Sequence, residues 1–211
     1  MADLKKMYEA ILTGDRQTAV AITEEALREN LEPQKLIDEA MIPAMGEAGR
    51  RFENEEYFVP ELLLAARAMK GALALLQPLL RQSGAEPIGR VVIGTVKGDL
   101  HDIGKNLVGS MLEGAGFKVV DLGADVSPDK FVTAIRSEQP QLVCMSALLT
   151  VTMPSMKTTM EAINAAGVRD QVKVLIGGAP VTPAYASEIG ADGYADNASS
   201  AVAKARELVA A

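Results

Sequence analysis

Arg90-Val-Val-Ile-Gly-Thr-Val96, followed closely by Asp99-Leu-His-Asp-Ile-Gly104, is the stretch from which the fold of this chain is read. Its first part is a β-branched apolar run, the pattern of a strand covered on both faces in a parallel sheet. After it Ile103, Leu107, Val108, Met111, Leu112 and Ala115 recur at helical spacing. The hexapeptide therefore lies on a βα turn at the carboxyl end of a strand, where open α/β sheets bind their ligands. The only histidine of the 211 residues, His101, stands on that turn. Asp99, two residues earlier, can lean to the same side and accept the second imidazole N–H, fixing the tautomer of a metal-binding ring. A solitary histidine on such a turn also suits a solvated or helix-capping side chain.

Outward from this stretch, strands and helices alternate. Strands are expected at Val91–Thr95, Lys118–Leu122, Leu142–Ser146, Lys173–Ile176 and Gly193–Ala195. Helices are expected at Ile103–Ala115, Pro128–Glu138, Pro154–Ala166, Pro183–Ile189 and Ala198–Val209. Five such units predict a doubly wound, flavodoxin/Rossmann-like α/β domain with a five-stranded parallel sheet and right-handed crossovers. Ser127-Pro128 reads as a cap and first-turn proline, and Gly167 as a helix stop.

Residues 1–83 carry only the 3.6-residue period and predict a four-helix unit: Asp3–Leu12, Asp15–Asn30, Pro33–Glu53 and Val59–Ser83. Asp15 suits an N-cap, and Pro33 and Pro60 suit first-turn positions. Pro43 predicts a kink or break in the third helix, because it lacks the N–H and its ring crowds the preceding turn. Gln82-Ser-Gly-Ala-Glu-Pro-Ile-Gly89 gathers turn-forming residues between the two regimes, which places a linker at 84–89 and a second domain at 90–211.

Composition narrows the function classes. An apolar fraction of 48% supports a packed core. No apolar run approaches the roughly 20 residues that span a bilayer, and Met1-Ala-Asp-Leu-Lys-Lys6 lacks a secretory pattern, so a cytoplasmic protein without a membrane partner is expected. A formal charge of -7 and the absence of a basic patch argue against nucleic acid. Cys144, the single cysteine, lies in the apolar run Leu142-Val-Cys-Met145 and suits core packing. Gly98-Asp-Leu-His-Asp-Ile-Gly104 has neither the dinucleotide-binding nor the P-loop glycine pattern. One histidine without ligating cysteines cannot supply the usual zinc set. A metal that arrives already caged, needing one axial base, fits better.

Two further segments, Met145-Ser-Ala-Leu-Leu-Thr-Val-Thr-Met153 and Leu175-Ile-Gly-Gly-Ala-Pro180, follow apolar runs that end at the same sheet edge. Jointly with Asp99, His101 and Gly104, the elements Ser146-x-Leu148-x-Thr150 and Gly177-Gly178 resemble the cobalamin-binding domain shared by methionine synthase and the corrinoid proteins of methyltransferase systems. The resemblance implies a cobalamin or related corrinoid cofactor (methylcobalamin, cob(I)alamin), its own lower base displaced and its cobalt ligated by His101. It further implies that Asp102, Ile103, Gly104 and Leu148 line the macrocycle and that Gly177 and Gly178 clear a path for the nucleotide tail. Ser146 and Thr150 would then bond the tail, while Thr152 extends the Asp99–His101 relay where some relatives carry serine. Taken singly, Gly177-Gly178 also fits an ordinary strand-ending turn, Ser146 a strand terminator and Thr150 a helix cap.

Met45-Gly-Glu-Ala-Gly-Arg-Arg-Phe52 and Tyr57-Phe-Val-Pro-Glu-Leu62 look like the helical cap of the same family, with Phe58 as an apolar lid or, equally, a bundle aromatic. The function so implied is a methyl carrier rather than a stand-alone enzyme. It takes a methyl group onto cobalt(I) from a substrate-specific methyltransferase. It gives the group from methyl-cobalt(III) to tetrahydrofolate or a thiol such as coenzyme M, through a methylcorrinoid:tetrahydrofolate or coenzyme M methyltransferase. A reductive activase is a third expected partner. The alternatives are the small cobalamin-binding subunit of an adenosylcobalamin mutase, which generally lacks a helical cap, a cobalamin-dependent regulator, and a flavodoxin-like domain without cobalt.

Overall fold

The computed structural model describes residues 3–83 and 87–210, in two compact units, the first comprising residues up to 87 together with 113–116 and the second residues 88–112 and 117 onward. Residues 84–86 of the expected linker lie outside the described residues.

The first unit is helical: α1 (Leu4–Leu12), α2 (Arg16–Arg28), α3 (Pro33–Leu36), α4 (Ile42–Glu53) and α5 (Val59–Ser83). Asp3 and Asp15 cap α1 and α2 by accepting the backbone N–H of Lys6 and Thr18 at 3.0 Å each, contacts worth about 1 kcal/mol apiece. Between α3 and α4 the rod continues as a π-turn over Ile37–Met41, where the Ile42 N–H reaches back to the Ile37 carbonyl. The third expected helix is thus interrupted next to Pro43, by a π-turn rather than by a break in the chain of helical residues. Pro43 has no N–H to give to the carbonyl four residues back, and the widened turn just before it absorbs the ring. Small side chains on α5 (Ala65, Ala66, Ala68, Ala72) are buried beside Leu62, Met69 and Leu76, so neighbouring helices approach closely.

The second unit holds β1 (Arg90–Thr95), α6 (Ile103–Gly114), β2 (Lys118–Asp121), α7 (Pro128–Glu138), β3 (Leu142–Ser146), α8 (Pro154–Ala165), β4 (Lys173–Gly177), α9 (Pro183–Ile189), β5 (Gly193–Ala195) and α10 (Ala198–Ala210). All pairings are parallel, in the order β2-β1-β3-β4-β5. Central strands β1 and β3 are almost wholly buried, whereas edge strand β2 is half-exposed, as a two-sided sheet requires.

On one face Val92, Val143, Met145, Val174 and Ile176 pack against Phe131, Ile135, Met156, Met160 and Ile163. Alternate strand residues point to the other face, where Gly109 of α6 rests on Ile93 and Val119. The order reverses between β1 and β3. Their crossovers leave in opposite directions, so a crevice opens at the carboxyl ends of these two strands.

Candidate functional site

Both strands that flank the reversal feed the site. Past β1 the chain bridges Val96 to Val126, turns at Gly98 (φ +84°) and buries the Asp99 side chain completely. Past β3 it runs through Ala147–Met153 before α8 begins.

Asp99 is the hub. Its Oδ1 accepts the His101 backbone N–H at 3.0 Å and pairs with His101 Nδ1 at 2.8 Å. Its Oδ2 accepts the Leu148 N–H at 2.8 Å and the Thr152 hydroxyl at 2.7 Å. Burial pushes this carboxyl up more than any other single influence, yet the bonds from Leu148, His101 and Thr152 together outweigh it and hold the group well below the usual carboxylate range. An ionised Asp99 is acceptor only, so Nδ1 must be the protonated nitrogen. That leaves the lone pair on Nε2 open, on a side chain 51% exposed. The loop is tied further by Asp125, which accepts the Gly98 N–H at 2.8 Å and pairs with Lys97, while the Asp125 N–H donates to the Asp99 carbonyl at 2.9 Å.

Large apolar side chains stand in solvent around this imidazole: Leu100 is 76%, Ile103 71% and Val151 80% exposed. Leu148 and Leu149 are exposed as well, and the Leu148 and Thr152 bonds anchor their loop to Asp99. Exposed apolar side chains gathered in one region mark a binding surface rather than chance. Gly104 adds a second sign. Its φ is ordinary and a Cβ built there would meet nothing within 4 Å, so the fold gives no reason for a glycine in the first turn of α6.

Among the described residues no group of three or more His, Cys, Asp or Glu could hold a bare metal ion. One open nitrogen on an apolar surface, with a side chain missing beside it, fits a metal whose other positions are filled by its own apolar ring.

Asp99, His101 and Thr152 thus come together as expected from the sequence. Asp102 is exposed, and its carbonyl accepts the Asn106 N–H at 2.8 Å to start α6. Ser146 ends β3, half-buried, in register with Gly177, and Thr150 is exposed on the loop beyond. The two glycines fit the strand-ending turn that the sequence also allowed. A Cβ on Gly177 would lie 2.7 Å from the Ala195 carbonyl oxygen, and one on Gly178 (φ +128°) 1.9 Å from that of Ala147. The sheet's own main chain already demands both.

Phe58 belongs to the helical unit. It is 65% exposed at the start of α5, and its N–H donates to Glu61 Oε2 at 2.9 Å. Sequence reasoning missed Asp125 and Lys105. Lys105 lies on α6 with its side chain buried, bonded to Asn106 and paired with Asp121 at the end of β2. A lysine at an inward helical position followed by an aspartate ending the next strand is the signal that could have shown this pair.

This fold and this site define a cobalamin-binding domain, and the chain belongs to the B12-binding family. The model of the B12 binding domain matches residues 89–203, and a second B12 binding domain model matches residues 3–77. The chain is 42% identical over 208 residues to the dimethylamine corrinoid protein of Methanosarcina barkeri, covering 98% of this chain and 97% of the relative. It is 44% identical to the trimethylamine corrinoid protein of the same organism over 205 residues, or 96% and 94% of the two chains. Among solved structures it superposes on the methanol:cobalamin methyltransferase complex of Methanosarcina barkeri with a TM-score of 0.85 and 30% identity, covering 98% of this chain and 79% of that one. It is therefore a corrinoid protein of the methyltransferase-system type, and its cofactor is a cobalamin or related corrinoid.

Proposed function

We propose that this corrinoid protein carries a methyl group between two partner methyltransferases, one specific for a methylated substrate and one that passes the group to tetrahydrofolate or a thiol such as coenzyme M. A reductive activase keeps it serviceable, and the setting is the cytoplasm. Support comes from the methylamine corrinoid proteins to which it is similar along its length, and from the solved complex in which a similar chain is partnered by a methyltransferase. No helix among the described residues is long and apolar enough to cross a membrane.

When bound, the corrinoid supplies a cobalt centre that takes and yields the methyl group, and the protein supplies binding, axial ligation and access. His101 would offer Nε2 to the cobalt. Asp99 keeps the proton on Nδ1, and Leu148 and Thr152 keep Asp99 in place. Asp102, Ile103, Gly104 and Leu148 would hold the macrocycle, Ser146 and Thr150 would offer hydroxyls to the nucleotide tail, and Gly177 and Gly178 would leave room for it. Residues 1–83 act as the cap with Phe58 as its lid, 84–89 as the linker and 90–211 as the cofactor-binding domain.

The observation that carries this reading is the open Nε2 of an imidazole whose other nitrogen is held 2.8 Å from a buried carboxylate. Reconstitution with hydroxocobalamin tests it. The wild-type chain should turn red with the bands of histidine-ligated cobalt, and His101→Ala should bind weakly or leave the cobalt without that ligand. Identical spectra from the two proteins would overturn the assignment.

A further inference from the structure

His101 lies between β1 and α6 on a segment with no regular secondary structure of its own, so no ladder of hydrogen bonds sets its direction. Its N–H and its Nδ1 both end on one atom, Asp99 Oδ1. Two bonds to one oxygen define a pivot, about which peptide and ring can still rock together. A third contact comes from elsewhere, because the His101 carbonyl accepts the hydroxyl of Thr95 at 3.0 Å.

Thr95 is the last residue of β1 and wholly buried. Both of its main-chain groups are held by the segment that follows β2: its N–H donates to the Gly123 carbonyl at 3.0 Å, and its carbonyl accepts the Val126 N–H at 2.9 Å. The positions around it, Val91, Val92, Ile93 and Val96, are apolar and buried. Packing gives a hydroxyl there no advantage over the methyl of valine, and an unpaired buried hydroxyl is costly. Among the described residues the bond to His101 is the one this hydroxyl makes.

We infer that Thr95 is a positioning residue for the axial histidine: from a fixed point in the sheet it stops the rocking that Asp99 alone permits, and so sets the direction of Nε2. This rests on the reading of His101 as the cobalt ligand. Losing one net hydrogen bond shifts the balance between the held and the rocking loop by about fivefold, and the ratio of ligated to unligated cobalt should follow it.

The test compares Thr95→Ser with Thr95→Ala, which both lack the γ-methyl and differ only in the hydroxyl, and adds Thr95→Val as the isosteric case. The full-length protein is loaded with hydroxocobalamin and reduced to cobalt(II). Electron paramagnetic resonance then reports the fraction of cobalt with a nitrogen axial ligand. In the unloaded protein, amide hydrogen exchange is followed at residues 100–102.

The alanine and valine variants should lose about fivefold in the ligated-to-unligated ratio and gain a similar factor in exchange, while serine restores both. Cobalamin uptake should weaken by no more than that same factor, because the form without the ligand still binds. A wild-type ligated fraction and wild-type exchange in Thr95→Ala would overturn the inference, as would equal losses in alanine and serine. If the wild-type cobalt itself lacks a nitrogen ligand, the carrier reading falls instead, and the exchange data still decide whether Thr95 holds the loop.

Discussion

Asp99→Asn removes a charge and keeps the shape, and its cost follows from four donors converging on one carboxylate. An amide must turn its –NH2 toward one of the two pairs of donors. Facing Leu148 and Thr152, it orphans the half-buried Leu148 N–H, while the Thr152 hydroxyl can fall back on the Leu149 carbonyl at 2.9 Å. Facing His101, it orphans that N–H and obliges Nδ1 to accept, which drives the ring proton onto Nε2. Either way one N–H is stranded, at about 1–3 kcal/mol. The remaining bonds lose their charge assistance, about 1 kcal/mol each. Relief from burying a charge returns roughly 1 kcal/mol, and the net is a loss of about 2–4 kcal/mol.

The chain has no tryptophan and two units, so native-state hydrogen exchange of the β1 and β3 amides is the suitable assay, reporting on the α/β unit alone. The fold lowers the pKa of Asp99, so the stability it contributes is complete above its ordinary value of about 3.9 and is lost as pH falls through the folded value. The gap between wild type and variant should be full at pH 7 and narrow below about pH 4. Equal strand exchange at pH 7, or a gap that persists unchanged into acid, would refute the reasoning.

Two glycine substitutions should separate fold from ligand. Gly178→Ala places a methyl against the Ala147 carbonyl oxygen at a positive φ and should cost more than about 3 kcal/mol, seen as loss of soluble protein or early thermal unfolding. Gly104→Ala fills open space and should leave stability unchanged or raise it by up to about 1 kcal/mol, while a cobalamin titration shows weakened uptake. Burial pushes the Cys144 thiol up to about 12, so it should resist iodoacetamide at pH 8 in the native protein and react on unfolding. The unfolded thiol ionises near 8.5 and the folded one does not, so its contribution to stability should decline as pH rises from there towards 12.

The sheet was legible because a strand covered on both faces leaves a run such as Arg90–Thr95 or Leu142–Ser146 with no polar interruption to confuse the reading. The ends of β1, β2 and β4 and several helix ends drift by a residue or so, whereas β3 and β5 fall where expected. The approach of Asp99 to His101 was legible because spacing of two places both on one turn, and Thr152 entered through family resemblance. Other parts of the site were hidden for a physical reason. Asp125 meets Gly98 from 27 residues away, Lys105 meets Asp121 from 16, and Leu148 contributes a backbone N–H that no side-chain identity betrays. Gly177 and Gly178 show the converse difficulty, because a glycine required by neighbouring main chain looks in sequence like one that makes way for a ligand. Pro43 marked the right place in the third helix, and the π-turn was the outcome because it accommodates the ring at less cost than a break.

Where β3 and β4 leave the sheet, main chain meets main chain, with Gly178 held against Ala147 and Gly177 against Ala195. A wall of peptide groups offers a visitor amides and carbonyls whatever the local spelling of the chain, so its chemistry is nearly immune to drift. Diversification is left to the outward-pointing neighbours Leu148, Thr150 and Val151, which can be exchanged without asking the strands to repack. One durable frame can in this way serve several clients, each fitted by changes confined to a short rim.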